Sequence, residues 1–169
     1  CTDEPKYNFE GYLYRRDWLV KYGKNPSTGE SFTGTKNADG TYTDNVKFPS
    51  WYSDSKYAVE YRANHPDWDG SDPIFISDWE WMFEIFDTAR EDLGIANKGY
   101  NISMYYMGFQ STGDFFSGFG GGAPIWSYNV ETGKIEFQAT SNKMKAYLEC
   151  LSSWYEKGWL DHEFEQRSA

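Results

Sequence analysis

The sequence predicts a mixed fold of the α/β class, with α+β as the open variant: helix-rich, with a small sheet. Three observations predict it. Residues 77–93 and 141–158 are amphipathic at helical spacing with end signals on both sides, and the segments IWSYNV and KIEFQA alternate around a glycine turn. A length of 169 residues also suits one domain (1–169) that buries about two thirds of its unfolded surface.

Taken in order, residues 11–22 (GYLYRRDWLVKY) place Leu13, Trp18, Leu19 and Tyr22 near helical spacing and end at Gly23, so a strand entering a short helix is expected. Residues 24–73 are rich in Gly, Asn, Asp, Ser and Pro, with turn signals in NPSTG, NADG and HPDWDGSDP. Tyr42, Phe48, Trp51, Tyr52, Tyr57 and Trp68 are interleaved there, which predicts a long irregular surface insertion packed by its own rings, with a short helix over 57–64.

In residues 77–93, Ser77 and Glu80 read as a capping box, and Trp79, Met82, Phe83, Phe86, Ala89 and Leu93 recur on one face before Gly94 stops the helix. Residues 100–107 alternate as a strand with Ile102, Met104 and Tyr106 on one side, and TGDFFSGFGGG follows as a short helix broken by glycines. The connection Glu131-Thr132-Gly133 predicts a β-hairpin with a bulge. Ser141 caps a second helix striped by Met144, Tyr147, Leu148, Leu151, Trp154 and Tyr155 and closed by Gly158. The tail WLDHEFEQRSA has no convincing final element, and neither repeats nor low-complexity tracts appear.

Sixteen Lys plus Arg against 26 Asp plus Glu give a net charge of −10, which repels phosphate backbones and anionic headgroups, so no nucleic acid partner is expected. No run approaches the roughly 20 apolar residues that span a bilayer, and the segment reads as soluble with no signal of its own. Cys1 and Cys150 can pair in an oxidising compartment but form no metal pattern and no CxxC motif. Lipid modification of Cys1 is disfavoured, because patterned sequence begins at Tyr7 without a flexible tether.

The unusual quantity is 20% aromatic residues, with eight Trp and 14 Tyr, more rings than one core holds. Sugar faces present C–H groups that stack on such rings, while their hydroxyls need Asp, Asn, Gln or Arg partners in a preformed cleft. Trp126 beside the glycine-rich run that holds Phe119 and Gly121, Asp114 at its entry, and Tyr105, Tyr106 and Gln110 before it form the candidate binding cluster. That Trp126 and Tyr106 are ordinary core rings stays open. Trp81, off the apolar stripe of its helix, is either a ligand ring or a residue partly covered by the insertion.

Rival chemistry is weaker. Glu80 with Glu84, or Asp161 with Glu163, resembles a glycosidase acid–base pair, but 26 carboxylates make chance pairs unavoidable. His65 and His162 sit in turn and tail contexts that suit surface histidines. The oxygen-rich stretch 37–44 lacks the closing Glu of a calcium loop and reads as a plain turn. The run Gly118-Phe119-Gly120-Gly121-Gly122-Ala123 lacks the adjacent Lys of a phosphate loop and suits close approach to a neutral ligand or tight packing. No enzyme activity, cofactor or metal is expected.

Three segments carry a resemblance. Tyr14-Arg15-Arg16-Asp17-Trp18-Leu19 and Ser77-Asp78-Trp79-Glu80-Trp81-Met82, the latter with the later FGGGAP, look like two helix starts of one family, and GKIEF followed by LSSWYEKGWLDHEF looks like a third of its segments, in matching order. Together they resemble extracellular solute-binding protein family 1, the sugar-binding lipoproteins of bacterial ABC importers. Residues 24–73 are the main departure. The resemblance implies a fragment of one lobe of a type II periplasmic-binding-protein-like fold, non-catalytic, holding at most half of a carbohydrate cleft. It also implies an ABC permease as partner, an extracellular location, and a lipid anchor outside this segment. An open alternative is a glycan-interaction or accessory domain of a glycoside hydrolase.

Overall fold

A computed structural model describes residues 13–96, 100–102, 113–121 and 125–166. They form helix α1 (Arg16–Tyr22), strands β1 (Gly34–Lys36) and β2 (Tyr42–Asp44), helices α2 (Pro49–Tyr52), α3 (Lys56–Asn64) and α4 (Ile76–Asp92), a 3-10 turn (Gly113–Phe119), strands β3 (Trp126–Asn129) and β4 (Lys134–Phe137), and helix α5 (Asn142–Glu156). The strands make two separate antiparallel two-stranded sheets, β1 with β2 and β3 with β4. The molecule is thus a mixture of helix and two small antiparallel sheets, compatible with an α+β class.

Helix α4 runs through the middle. Its apolar face buries Met82, Phe83, Ile85, Phe86 and Ala89, and α1 and α2 pack on it. On another side the Phe83 ring meets Trp154 of α5 edge-on at 5.2 Å and Trp159 of the tail at 5.4 Å. Glu80 and Asp87, seven positions apart and so on one helix face, accept the indole N–H groups of Trp154 at 2.8 Å and Trp159 at 2.6 Å. Two buried indoles therefore keep their polar edges satisfied while their faces fill the core.

The junction of α2 and α4 is built on Asp78, whose side chain is wholly buried. Its Oδ1 accepts from Ser50 N at 2.9 Å, and its Oδ2 accepts from Ser50 Oγ at 2.6 Å, Ile74 N at 3.0 Å and Phe75 N at 3.1 Å. One carboxylate in the first turn of α4 thus takes donors from the first turn of α2 and from the two residues that lead into α4, at helix starts where the dipole favours negative charge. The capping box expected from Ser77 and Glu80 is replaced by this arrangement. The helix starts one residue earlier, at Ile76, and Glu80 is engaged by Trp154.

The stretch 24–73 is more structured than an irregular surface insertion. It holds the β1–β2 hairpin, α2 and α3, the last in agreement with the short helix expected near 57–64. Phe32, Val46 and Phe48 are buried within the main hydrophobic cluster. Arg16 fastens the stretch: its guanidinium donates to both Asp44 oxygens at 2.6 and 2.8 Å and to Ser71 O at 2.5 Å. Within the oxygen-rich turn at 37–44, Asp39 Oδ1 accepts from Thr41 N and Oγ1 at 3.0 and 2.6 Å.

Helix α5 starts as the sequence predicts, with Ser141 Oγ accepting from Met144 N at 3.1 Å. Gly94 and Gly158, at φ 66° and 74°, take the left-handed conformation that ends a helix. The α5 stripe is broader than the face the fold covers, for Met144, Tyr147 and Trp154 are buried while Leu148 and Tyr155 are exposed. The tail departs from expectation: Trp159, Leu160 and Asp161 are buried, and Leu160 bridges Ile102 in parallel. No strand precedes α1 among the described residues, and the strand read over 100–107 lies outside them beyond Ile102.

Candidate functional site

The strand pair β3–β4 follows the predicted hairpin, with Trp126 opposite Phe137, Ser127 opposite Glu136, Tyr128 opposite Ile135 and Asn129 opposite Lys134. The connection has four residues, Val130 to Gly133, rather than a bulged three. Asn129 closes it, its Oδ1 accepting from Glu131 N at 3.0 Å and Thr132 N at 3.1 Å.

Because strand side chains alternate, this register sorts the hairpin into two chemistries. One face carries Trp126, Tyr128, Ile135 and Phe137, and Trp126 lies 4.8 Å from its cross-strand neighbour Phe137 between ring centroids. These four residues are 45–72% exposed. A hairpin ordinarily turns such a face to the core, and an exposed contiguous apolar face is the informative exception. Here the rings form an outward shelf.

The opposite face is polar and turned inward. Asn129 Nδ2 donates to Glu136 Oε1 at 2.8 Å, and Gln138 Nε2 donates to Ser127 Oγ at 2.7 Å and Glu136 Oε2 at 3.3 Å. With Gly120, Gly121 and Lys143, these groups line a cavity of about 330 Å³. Gly121 is bare for a packing reason: a Cβ there would stand 2.3 Å from Phe116 Cε1.

The expected binding residues separate accordingly. Trp126 is on the outer shelf, Gly121 lines the inner cavity, and Phe119 packs its ring 5.7 Å from Tyr147. Trp81 is the covered residue of the two alternatives, its ring edge-on to Phe32 at 6.1 Å and Phe48 at 5.4 Å beneath the 24–73 stretch. Tyr105, Tyr106, Gln110 and the side chain of Asp114 lie outside the described residues. Sequence reasoning missed Tyr128, Phe137, Ser127, Glu136, Gln138 and Lys143. The signal was present in the two alternating segments, whose register follows from the turn.

Elsewhere, several groups with chemical capacity are engaged by neighbours. A hollow of about 670 Å³ beside α1 is lined by Arg15, Asp17, Trp18, Lys21 and Tyr22 among others. There Arg15 holds Asp17 at 2.8 and 2.5 Å and lies 4.8 Å from the Trp18 ring centroid, and the hydrogen bond from Arg15 lowers the Asp17 pKa. Tyr22 and Lys21 likewise hold Asp92 at 2.6 and 3.3 Å and lower its pKa. His65 stacks on Tyr61 at 3.9 Å, and His162 Nε2 lies 2.5 Å from Tyr155 O. Among the described residues, no group of three or more His, Cys, Asp and Glu side chains is placed to hold a metal, and no helix is long and apolar enough to cross a membrane.

Comparison with family models, with curated proteins and with solved structures finds no match for this chain.

Proposed function

We propose that this chain binds carbohydrate without turning it over, as part of one lobe of a type II extracellular solute-binding protein that delivers its ligand to an ABC permease. The full protein would sit on the cell surface through a lipid anchor outside this segment. The observation that carries the reading is the outward shelf of Trp126, Tyr128, Ile135 and Phe137, which offers stacking area to sugar C–H faces with few rotatable bonds to immobilise. Glu80, a candidate acid, is bonded to a buried indole, and Asp161 is withdrawn from solvent, which supports a binding role over acid–base chemistry.

The test is calorimetric titration of the chain with neutral oligosaccharides, beside Trp126→Ala. Saturable binding that the substitution abolishes supports the reading, and equal binding by both proteins removes the shelf from it. The open, solvent-facing geometry of the shelf favours a second reading, a glycan-interaction module attached to a glycoside hydrolase. Sedimentation with insoluble polysaccharide separates the two: a receptor prefers short soluble glycans, and a surface-binding module prefers the insoluble polymer.

A further inference from the structure

We infer that the cavity on the inner side of the β3–β4 hairpin is a separate subsite for one neutral, hydroxyl-rich ring of monosaccharide size. The inference deepens the carbohydrate reading and rests on it for ligand class, but its hydrogen-bonding groups lie on the other face of the hairpin, Tyr128 being the shelf residue that also borders the cavity. Ser127 and Glu136 face away from Trp126 and Phe137 on the same two strands, so no single ring touches both sets. At about 330 Å³, the cavity is at the small end of the range of about 300–1,000 Å³ for small-molecule sites.

Its unused hydrogen-bonding capacity defines the ligand. Gln138 lines the cavity and is only 2% exposed. Its Nε2 is committed to Ser127 and Glu136, and its Oε1 has no donor among the described residues. Reversing the amide would set that oxygen against the Glu136 carboxylate, so the network itself fixes the orientation. Each Glu136 oxygen receives one amide N–H and retains a further lone pair, and the Ser127 hydroxyl, an acceptor from Gln138, keeps its proton to donate. Lys143 supplies the opposite polarity. Its Nζ stands 4.0 Å from where a Cβ of Gly120 would lie, and it joins none of the ion pairs among the described residues.

The cavity therefore offers acceptor lone pairs at Glu136 and donors at Lys143 and Ser127, while Gln138, whose Oε1 is itself sealed from solvent, orients Ser127 and Glu136 through its Nε2. An anion meets the carboxylates of Glu131 and Glu136, which also line the cavity. A cation has no lone pair to accept from Lys143, and an apolar group covers the free lone pairs of Glu136 without replacing their water. An alcohol both donates and accepts, so a sugar ring with adjacent hydroxyls can bridge carboxylate and ammonium. Gly120 and Gly121 present bare backbone to it.

The experiment is an amide ¹H–¹⁵N NMR titration of the full chain with D-glucose, D-galactose, D-mannose and N-acetylglucosamine, with inorganic phosphate as the anionic control. It is run on the parent and on Lys143→Ala, Glu136→Gln and Trp126→Ala. Lys143 is exposed, so its substitution leaves packing intact even where Glu136→Gln disturbs the fold. Saturating shifts at Gly120, Gly121 and Ser127 are expected with at least one sugar and not with phosphate. Affinity should fall about fivefold or more in Lys143→Ala, as for a lost hydrogen bond to a charged group. No saturating shift with any of the four sugars, an undiminished response in Lys143→Ala, or an equal response to phosphate would overturn the inference. Loss of oligosaccharide binding in Trp126→Ala alongside a silent cavity would sink the subsite and leave the outer shelf standing.

Discussion

Removing the Asp78 carboxylate should destabilise the chain more than its single position suggests. Asp78→Ala strips the acceptor from Ser50 N, Ser50 Oγ, Ile74 N and Phe75 N together. Ser50 is only 3% exposed, so water cannot readily replace the bonds at that end, whereas Ile74 and Phe75 are half-buried and can be partly rehydrated. An unsatisfied buried donor costs about 1–3 kcal/mol, so two lost bonds at Ser50 plus partial losses at the α4 entrance total about 3–5 kcal/mol. Asp78→Asn can keep its carbonyl where Oδ2 sits and retain three donors, but it turns an NH₂ toward Ser50 N and loses the charge, for about 1–3 kcal/mol. Ser50→Ala removes one hydroxyl bond and should cost about 1 kcal/mol. Urea unfolding followed by Trp fluorescence measures all three, and the losses should persist at high salt because the site is shielded from solvent. An Asp78→Ala loss under about 1 kcal/mol, or a Ser50→Ala loss exceeding it, would refute the view that one carboxylate joins the two helix starts.

Two further predictions concern titration. Burial, followed by the nearby Glu80 charge, pushes the Cys150 thiol up to about 11, so at pH 8 its thiolate fraction is about a hundredfold below that of a group at the ordinary value of 9.0. Iodoacetamide should therefore alkylate it slowly in the folded chain and rapidly in urea; equal rates would contradict the burial argument. Asp69 is pulled down to about 2, first by the hydrogen bonds from Ser71 and then by Lys47. A depressed carboxylate contributes stability that is present above the ordinary carboxylate range and is lost as pH falls through about 2. Its side chain is 64% exposed, so solvent screening keeps the contribution below about 1 kcal/mol. Urea midpoints measured from pH 5 to 2 should fall slightly less steeply in Asp69→Asn than in the parent, and identical slopes would remove the Asp69 contribution.

What was legible in the sequence follows the range of the interactions involved. Helix α5 was readable because Ser141, its stripe and Gly158 act within a few residues of one another, and the β3–β4 pairing because alternation and the turn are local. Helix α4 was read correctly in extent but not in its cap, since Asp78 is held partly by Ser50, 28 positions away. The 24–73 stretch reads as loop because its strands are three residues long and its order comes from Arg16 and from burial of Phe32, Val46 and Phe48. The tail reads as leaving the domain because Leu160 finds its partner at Ile102. For the site, alternation puts Trp126 and Phe137 on one face and Ser127 and Glu136 on the other. It cannot reveal that the polar face turns inward, which depends on where the 3-10 turn and α5 lie.

If the exposed β3–β4 shelf binds glycan as we propose, the affinity of the chain for neutral oligosaccharides depends on the Trp126 ring, and titration with and without that ring measures it. Saturable binding is expected of the parent, with a loss of at least about tenfold in Trp126→Ala and unchanged urea stability, because the ring is 59% exposed. Binding that is absent from the parent, or indifferent to loss of the ring, would contradict the proposal.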